Sequence, residues 1–474
     1  MPHVLISAAH KSSGKTTVTL GLCAALHRRG LALQPYKKGP DYIDPMWLTL
    51  AAKRDCHNLD FHSMTRDEIR GTFQQYGHDA DVSIIEGNKG LYDGLDLEGR
   101  NSNAALARMI KAPVVLVIDA QGMTRGIAPL ILGYQAFDPR MNIAGVILNK
   151  LGGKRHEGKL RAVIEHYTDV PVIGAVHKNN SLSITEQHLG LTPGNASPEI
   201  LNQIENIANL IADQVDLDKL INIANTAPET KKAPSLVVTA KTEKKVRIGI
   251  ARDKAFGFYY PGDITALESA GAEIVNINTF TDKQLPEIDS MFIGGGFSES
   301  HLQELANNTS LMRDIANKIE KGMPVYAECG GLMYLTRSIQ WGNQSHLMVG
   351  AIPADTEMCE KPQGRGYVRL RETQNMPWFE KRTHTLSKEF CAHEFHYSRL
   401  INIDSNIKFA YKVLRGYGID GRSDGVVYKN VLASYTHLRD VKHNRWANRF
   451  VSFVKSCADV ESDVGIDQVA HVGA

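Results

Sequence analysis

The stretch Leu5-Ile6-Ser7-Ala8-Ala9-His10-Lys11-Ser12-Ser13-Gly14-Lys15-Thr16-Thr17 restricts the first half of the chain more than any other. Val4–Ile6 is an apolar run that reads as a buried strand. It passes through small and polar residues into an apolar helical pattern at Val18, Leu20, Leu22 and Leu26. A strand, a loop ending in Gly-Lys-Thr and a helix form the layout of a phosphate-binding loop. Backbone N–H groups and the helix N-terminus face the phosphates, Lys15 supplies a point charge, and Thr16 offers a hydroxyl to Mg²⁺. Ser13, Gly14 and Thr17 complete the candidate nucleotide-binding set. The first glycine of the G-x-x-x-x-G-K-T pattern would fall at position 9, which is Ala9. The competing reading is a small-residue turn before an ordinary helix.

A chain of 474 residues is too long for one core, so two or three domains are expected. Its 43% apolar and 22% charged residues are those of a soluble globular protein. A formal charge of +2 gives no support for a nucleic-acid partner. Six cysteines without CxxC spacing argue for a reducing cytoplasm and against disulfides or a zinc site. The chain enters a strand directly, without a signal peptide, and no apolar run is long enough to cross a membrane. The expected location is therefore cytoplasmic, with no membrane partner.

Residues 1–225 alternate strand and helix patterns. Strand candidates are Val4–Ser7, Leu33–Tyr36, Val82–Glu86, Val114–Asp119, Ile143–Leu148 and Val172–Val176. This predicts a doubly wound parallel α/β sheet, with ligand sites at the carboxyl ends of strands. Three acidic motifs stand at such ends: Lys37-Lys38-Gly39-Pro40-Asp41-Tyr42-Ile43-Asp44-Pro45, Glu86-Gly87-Asn88-Lys89-Gly90-Leu91-Tyr92-Asp93-Gly94, and Asp119. Mg²⁺ takes hard oxygen ligands near a phosphate loop, so Glu86 or Asp119 is a candidate ligand, directly or through water. For any single carboxylate a helix cap or solvated turn is the alternative; as a group they point to function.

Leu217–Ile223 reads as the end of a helix, and residues 226–245 as an exposed linker. A second α/β domain is expected over 246–455, beginning with the strand Val246–Ala251. Met291-Phe292-Ile293 runs into Gly294-Gly295-Gly296, where backbone N–H groups can turn toward an anion; a tight ligand-free loop is the alternative. Cys329, in Val325-Tyr326-Ala327-Glu328-Cys329-Gly330-Gly331, sits between a strand and a helix as in a nucleophile elbow, and the helix N-terminus is expected to favour its thiolate. Cys23, Cys56, Cys359, Cys391 and Cys457 read as small core residues. His437, after the strand-like Ala433–Thr436, is the candidate base. Residues 456–474 read as a mobile tail.

Lys37-x-Gly-Pro-Asp-Tyr-Ile-Asp-Pro, Glu86-Gly-x-x-Gly-Leu-Tyr-Asp-Gly, His188-Leu-Gly-Leu and Glu328-Cys-Gly-Gly-Leu-Met-Tyr-Leu resemble the amidotransferases of the cobyrinate a,c-diamide synthase family. Arg252-Asp253-x-Ala255-Phe256-x-Phe258-Tyr259-Tyr260 resembles the opening of that family's glutaminase domain, and Gly364-Arg365-Gly366-Tyr367 and His393-Glu394-Phe395-His396-Tyr397-Ser398 also match. For the histidines of the last motif, a packed strand is an equal alternative. The N-terminal domain is similar to dethiobiotin synthetase. The resemblance covers about nine-tenths of the chain in family order, and the phosphate loop departs from it most.

The resemblance implies two doubly wound domains, an N-terminal phosphate-loop domain and a C-terminal class I glutaminase domain. It implies ATP- and glutamine-dependent amidation of the a- and c-acetates of a tetrapyrrole polycarboxylate such as cobyrinate, with Mg²⁺ and ATP. The same chemistry on sirohaem, sirohydrochlorin or its nickel form is the alternative. Lys15 and Thr16 would hold phosphates and Mg²⁺; Asp41 and Glu86 would be metal or phosphate-site carboxylates. Lys37, Asp44, Tyr92 and Asp93 would lie at the substrate end, with Lys37 facing substrate carboxylate or the transferred phosphoryl group. Asn149 would stand toward the nucleobase, although a ligand-free loop asparagine is the other reading. Gly152 occupies the place of the aspartate in the guanine-reading N-K-x-D pattern, which favours ATP.

Cys329 and His437 would act as a pair, with the oxyanion held near Gly295, Gly296 and Gly330. Triad-type relatives carry glutamate two residues after the histidine, where this chain has Arg439, so the group orienting His437 stays unassigned. An enclosed ammonia path and a homodimer are compatible with this reading. A partition-type ATPase switch is a distant alternative. Such switches carry a lysine where this chain has His10, and the intact Cys329 and His437 also argue against that class.

Overall fold

Seven strands, all parallel, carry the first half of the chain. They are β1 (His3–Ala8), β2 (Leu33–Lys38), β3 (His57–Leu59), β4 (Val82–Glu86), β5 (Val114–Asp119), β6 (Ile143–Leu151) and β7 (Val172–His177), in the order β3-β2-β4-β1-β5-β6-β7. The computed structural model describes residues 1–179, 197–228, 245–378 and 388–469. The motif at His188–Leu191 and most of the expected linker lie outside the described residues. The chain divides into two compact units, Met1–Leu236 and Val237–Ala474. Each of the six expected strands of the first unit is present. The short β3, which sequence patterning missed, pairs with β2 at the sheet edge.

Helices α1 (Lys15–Arg28), α2 (Ile43–Ala52), α3 (Arg66–Gly77), α4 (Asn103–Ile110), α5 (Ile127–Phe137), α6 (Lys154–Tyr167), α7 (Pro198–Gln214) and α8 (Leu217–Asn225) connect or cover these strands. Every residue of α1 from Val18 to Leu26 is buried. One core therefore runs from Val4, Ile6 and Val115 of the sheet through α1 to Trp47 and Leu48 of α2, Ile204, Ile207 and Ile211 of α7, and Leu220 of α8. This clamps α1, and with it the loop before α1, against the ends of the central strands. Burying a large aliphatic side chain contributes about 1.5–3 kcal/mol, so the domain core fixes the helix on which the loop ends.

The second unit is built on a nine-stranded mixed sheet and a smaller four-stranded one. The strands are β8 (Val246–Ala251), β9 (Ala272–Ile277), β10 (Ser290–Ile293), β11 (Val325–Glu328), β12 (Ser338–Trp341), β13 (Gln344–Leu347), β14 (Asp355–Met358), β15 (Gly364–Glu372), β16 (Glu389–His396), β17 (Ser398–Ile401), β18 (Lys408–Arg415), β19 (Ser423–Tyr428) and β20 (Val431–Ser434). The large sheet has the order β16-β15-β18-β19-β20-β11-β10-β8-β9, and the small one β13-β12-β14-β17. From β20 to β9 the large sheet is parallel. From β16 to β20 it is antiparallel.

Helices here are α9 (Pro261–Ser269), α10 (Leu302–Asn307), α11 (Thr309–Glu320), α12 (Gly330–Leu335) and α13 (Trp446–Val469). Strand alternation divides the core between two faces. Val325 and Ala327 join α11 and α12 in one cluster, while Tyr326 joins α13 in the other. Helix α13 runs through the segment expected to be a mobile tail, as far as Val469. Its buried Trp446, Phe450 and Val454 nucleate it, and no proline interrupts the remaining turns.

Arg449 ties α13 to the sheet. Its guanidinium donates to both carboxylate oxygens of Glu372, at 2.5 and 3.1 Å, and to the carbonyl of Trp378 at 3.2 Å. Removing one partner of a buried pair leaves the other charge uncompensated. Arg449→Met should lower unfolding free energy by about 3 kcal/mol in urea titrations, and adding Glu372→Gln should recover part of that loss. A loss within about 0.5 kcal/mol would mean the pair is screened by solvent.

Candidate active sites

The loop between β1 and α1 is shaped by two left-handed residues, Ser12 (φ 67°) and Gly14 (φ 81°). Gly14 caps α1, and a Cβ there would lie 2.1 Å from Asn149 Nδ2, so glycine is required. Asn149 Nδ2 donates to the carbonyl of Ser13 at 2.8 Å, and Lys150 Nζ to that of Ser12 at 2.8 Å. Asp119 binds Lys150 Nζ at 2.7 Å and accepts the N–H of Gln121 at 3.0 Å. Asn149 and Asp119 therefore brace the loop from the end of the sheet. Of the two candidate carboxylates, Glu86 is the one placed against Thr16. Thr17 lies in the first turn of α1.

Parallel pairing of β2 with β4 puts Lys37 opposite Glu86, and pairing of β1 with β4 puts Ile6 opposite Glu86. Glu86 is fully buried. Its Oε1 accepts the Thr16 hydroxyl at 2.7 Å and Lys37 Nζ at 3.0 Å, with Lys15 Nζ at 3.5 Å. Lys37 Nζ also donates to Asp44 Oδ2 and lies 3.7 Å from Asp41 Oδ2. Asp44 is in the first turn of α2, and Asp41 caps that turn by accepting the N–H of Ile43 at 3.0 Å and of Asp44 at 3.2 Å. Lys15, Thr16, Lys37, Asp41, Asp44 and Glu86 thus form one cluster, and Asp44, expected at the substrate end, lies 3.4 Å from the Thr16 hydroxyl.

Burial opposes the Lys37 ammonium, but Asp44, Glu86 and Asp41 outweigh it and hold its pKa well above the usual lysine range. Burial lowers Lys15, with Glu86 offsetting part of the effect. Burial and the charge of Asp44 push Asp41 up to about 6. Asp44 is also opposed by burial, yet Lys37 keeps it below the ordinary carboxylate range.

Glu86 Oε2 is buried with no hydrogen-bond partner. An orphaned carboxylate oxygen beside a threonine hydroxyl suits a hard divalent cation. No group of three or more His, Cys, Asp or Glu among the described residues is arranged to hold a metal. A cation here would accordingly take most of its ligands from phosphate and water, as Mg²⁺ does. Tyr92 and Asp93 sit on the loop after β4 in a separate set of contacts. Asp93 accepts the N–H of Gly90 at 2.9 Å, and Tyr92 donates to the carbonyl of Tyr134 at 2.6 Å.

In the second unit, β11 and β20 are adjacent and parallel, with Glu328 in register with Ser434. Cys329 follows β11 in a strained backbone conformation (φ 47°, ψ −104°), and α12 starts directly after it. His437 follows β20. A Cβ on Gly295 would lie 2.5 Å from His437 Cε1 and 3.5 Å from Cys329 Cβ, so the glycine loop after β10 passes between the two. A Cβ on Gly330 would lie 3.4 Å from the Gly296 amide nitrogen, which brings those two loops together.

The missing orienting group is Glu328. Its Oε2 is 3.2 Å from His437 Nδ1, and its Oε1 accepts the Leu438 N–H at 2.8 Å and the Tyr326 hydroxyl. Glu328 immediately precedes Cys329. Only the carboxyl-end register of β11 against β20 could have pointed to it. Arg439 instead lays its guanidinium over the Tyr260 ring, 4.9 Å from the centroid.

His393 of the His-Glu-Phe-His motif stacks on His437 at 4.9 Å, and its carbonyl accepts the His437 N–H at 2.8 Å. Glu394 and His396 are structural. Glu394 accepts the amides of Tyr417 and Gly418 at 2.7 and 2.8 Å, and His396 stacks on Tyr435 at 3.9 Å.

Two expectations about cysteine need correction. Cys359, Cys391 and Cys457 are only partly buried, whereas Cys23 and Cys56 are core residues. The short helix α12 does not lower the Cys329 thiol below its ordinary range. Burial and the nearby Glu299 charge push its thiol up, and the Gly330 amide offsets only part of this.

A parallel sheet with a braced phosphate loop, followed by a sheet bearing Cys, His and Glu at one edge of two strands, defines a nucleotide-binding domain coupled to a class I glutaminase domain. Comparison with known families agrees. Residues 5–190 match the CobQ/CobB/MinD/ParA nucleotide binding domain, and residues 247–444 the CobB/CobQ-like glutamine amidotransferase domain. The cobyrinate a,c-diamide synthase of Magnetococcus marinus is 42% identical over 452 residues, covering 94% of this chain and 96% of that one. Those of Methanosarcina acetivorans (40% over 480 residues, 95% of each chain) and Archaeoglobus fulgidus (40% over 452 residues, 95% and 97%) are similar. The chain belongs to the cobyrinate a,c-diamide synthase family. No helix among the described residues is long and apolar enough to cross a membrane.

The raised Cys329 thiol has a measurable consequence. Without substrate, iodoacetamide should modify Cys329 slowly at pH 7, with the rate still rising through pH 9, because the thiolate is the reacting form. A rate that levels off near pH 6 would show a pre-formed thiolate.

Proposed function

We propose that the chain is an ATP- and glutamine-dependent ligase that converts cobyrinate to its a,c-diamide in the cytoplasm. The observation that carries this reading is near full-length similarity to cobyrinate a,c-diamide synthases together with both reaction centres on one chain. Cys329 Sγ attacks the side-chain amide carbon of glutamine while His437 takes the thiol proton. Glu328 accepts from Nδ1–H of His437, which presents Nε2 to the sulfur and steadies the imidazolium. The glycine loop at Gly295 and Gly296, with the Gly330 amide, receives the oxyanion. His437 returns the proton to the departing ammonia, and water then hydrolyses the thioester to glutamate.

In the first unit a substrate acetate oxygen attacks the γ-phosphorus of ATP and ADP leaves. Ammonia attacks the acyl carbon and phosphate leaves, giving the amide. Ser13, Gly14, Lys15, Thr16 and Thr17 hold the phosphates. Asn149, whose amide keeps the loop in shape, would stand toward the nucleobase. Thr16, Asp41 and Glu86 are the residues that would hold Mg²⁺, which when bound neutralises phosphate charge. Lys37 and Asp44, with Tyr92 and Asp93 on the neighbouring loop, face the substrate.

The two centres separate by mutation. Cys329→Ser should lose glutamine-driven amidation by about 10³-fold or more yet keep amidation driven by ammonium at high pH. Lys15→Ala should lose about 10²–10³ with either nitrogen source. Normal glutamine use by Cys329→Ser, or normal ammonia use by Lys15→Ala, would overturn the assignment of that centre.

A further inference from the structure

Lys37 occupies an unusual place in the phosphate-loop site. Its ammonium is nearly buried and is surrounded by Asp44, Glu86 and Asp41, the last two at 3.0 and 3.7 Å. The Thr16 hydroxyl shares two of the same carboxylates, Glu86 Oε1 at 2.7 Å and Asp44 Oδ2 at 3.4 Å. A single nitrogen therefore stands among the oxygens a divalent cation would seek. With Lys37 in place, the cluster of three carboxylates and two lysines carries a formal charge of −1; without it, −2. The second figure is the charge a divalent cation neutralises. Glu86 Oε2, buried and without a hydrogen-bond partner, is the independent sign that this cluster is built for one more ligand than the lysines supply.

We infer that Lys37 is a resident counter-ion holding the metal position closed until nucleotide arrives. In the nucleotide-free protein its ammonium pairs the three carboxylates, so a free divalent cation gains little by entering. A triphosphate gives Lys37 another anionic partner. The ammonium then leaves the carboxylates for the phosphate, and the cation carried by the nucleotide takes its place at Thr16 and Glu86. The exchange keeps the buried Glu86 carboxylate paired throughout, which avoids the cost of leaving it uncompensated. Metal and nucleotide consequently enter as one unit. The inference rests on the proposed nucleotide site and assigns Lys37 a role before chemistry as well as during it.

The test uses Mn²⁺, read by the loss of its free electron-spin-resonance signal on binding to the full chain, beyond the loss that the nucleotide alone causes in a protein-free control. Wild type should take up Mn²⁺ weakly alone and one ion per chain with a non-hydrolysable ATP analogue. Lys37→Met should bind Mn²⁺ without nucleotide about tenfold or more tightly than wild type, and Glu86→Gln in that background should remove the gain. Thermal melts with and without Mn²⁺ should show the ion stabilising Lys37→Met more than wild type. If Lys37→Met does not fold, Lys37→Gln serves the same comparison. Tight nucleotide-free Mn²⁺ uptake by wild type, or no gain in the folded variant, overturns the counter-ion role. Wild type taking up no Mn²⁺ even with the analogue would instead overturn the nucleotide–metal site itself.

Discussion

Glu86 sits fully buried at the end of a central strand, and its Oε1 draws together the Thr16 hydroxyl and the ammonium groups of Lys15 and Lys37. A carboxylate so placed is tolerable only while it is paired. The first unit arranges its strand order to keep it so: β4 lies between β1, which leads to the phosphate loop, and β2, which ends in Lys37 and Lys38. The core packed around α1 then fixes the loop at the height of that carboxylate. Two lysines and a threonine hydroxyl share one buried carboxylate.

The second unit repeats the strategy with different chemistry. Glu328 is also buried at a strand end, and it is satisfied by Leu438 N–H, the Tyr326 hydroxyl and His437. Because Glu328 and Cys329 are consecutive, the turn that positions the sulfur also fixes the carboxylate beside its candidate base. Burial and the Glu299 charge push the Cys329 thiol up, with a smaller contribution from Glu328.

Much of this was legible in the chain. Strand-end motifs and the Gly-Lys-Thr loop located Lys15, Thr16, Lys37, Asp41, Asp44 and Glu86 because parallel sheets gather ligands at carboxyl ends. Three features were not legible. The role of Glu328 depends on the register of β11 with β20, a contact spanning 109 positions. The commitment of Asn149 to Ser13 depends on how closely two loops approach, which residue types do not encode. The antiparallel part of the nine-stranded sheet, β16-β15-β18-β19, carries His393 and the structural Glu394 and His396 on β16, and a motif match alone could not separate the three.

The central claim is that nitrogen released from glutamine in one unit becomes two amides on the acetates of a cobyrinate activated by ATP in the other. Glutamine labelled with ¹⁵N at its side-chain amide, supplied with ATP, Mg²⁺ and cobyrinate, tests it directly by heteronuclear NMR of the product. The account predicts label in two carboxamides, both on acetate side chains, with the propionates unlabelled. Label found first on propionates, or a tetrapyrrole recovered without label while ATP is consumed, would contradict it.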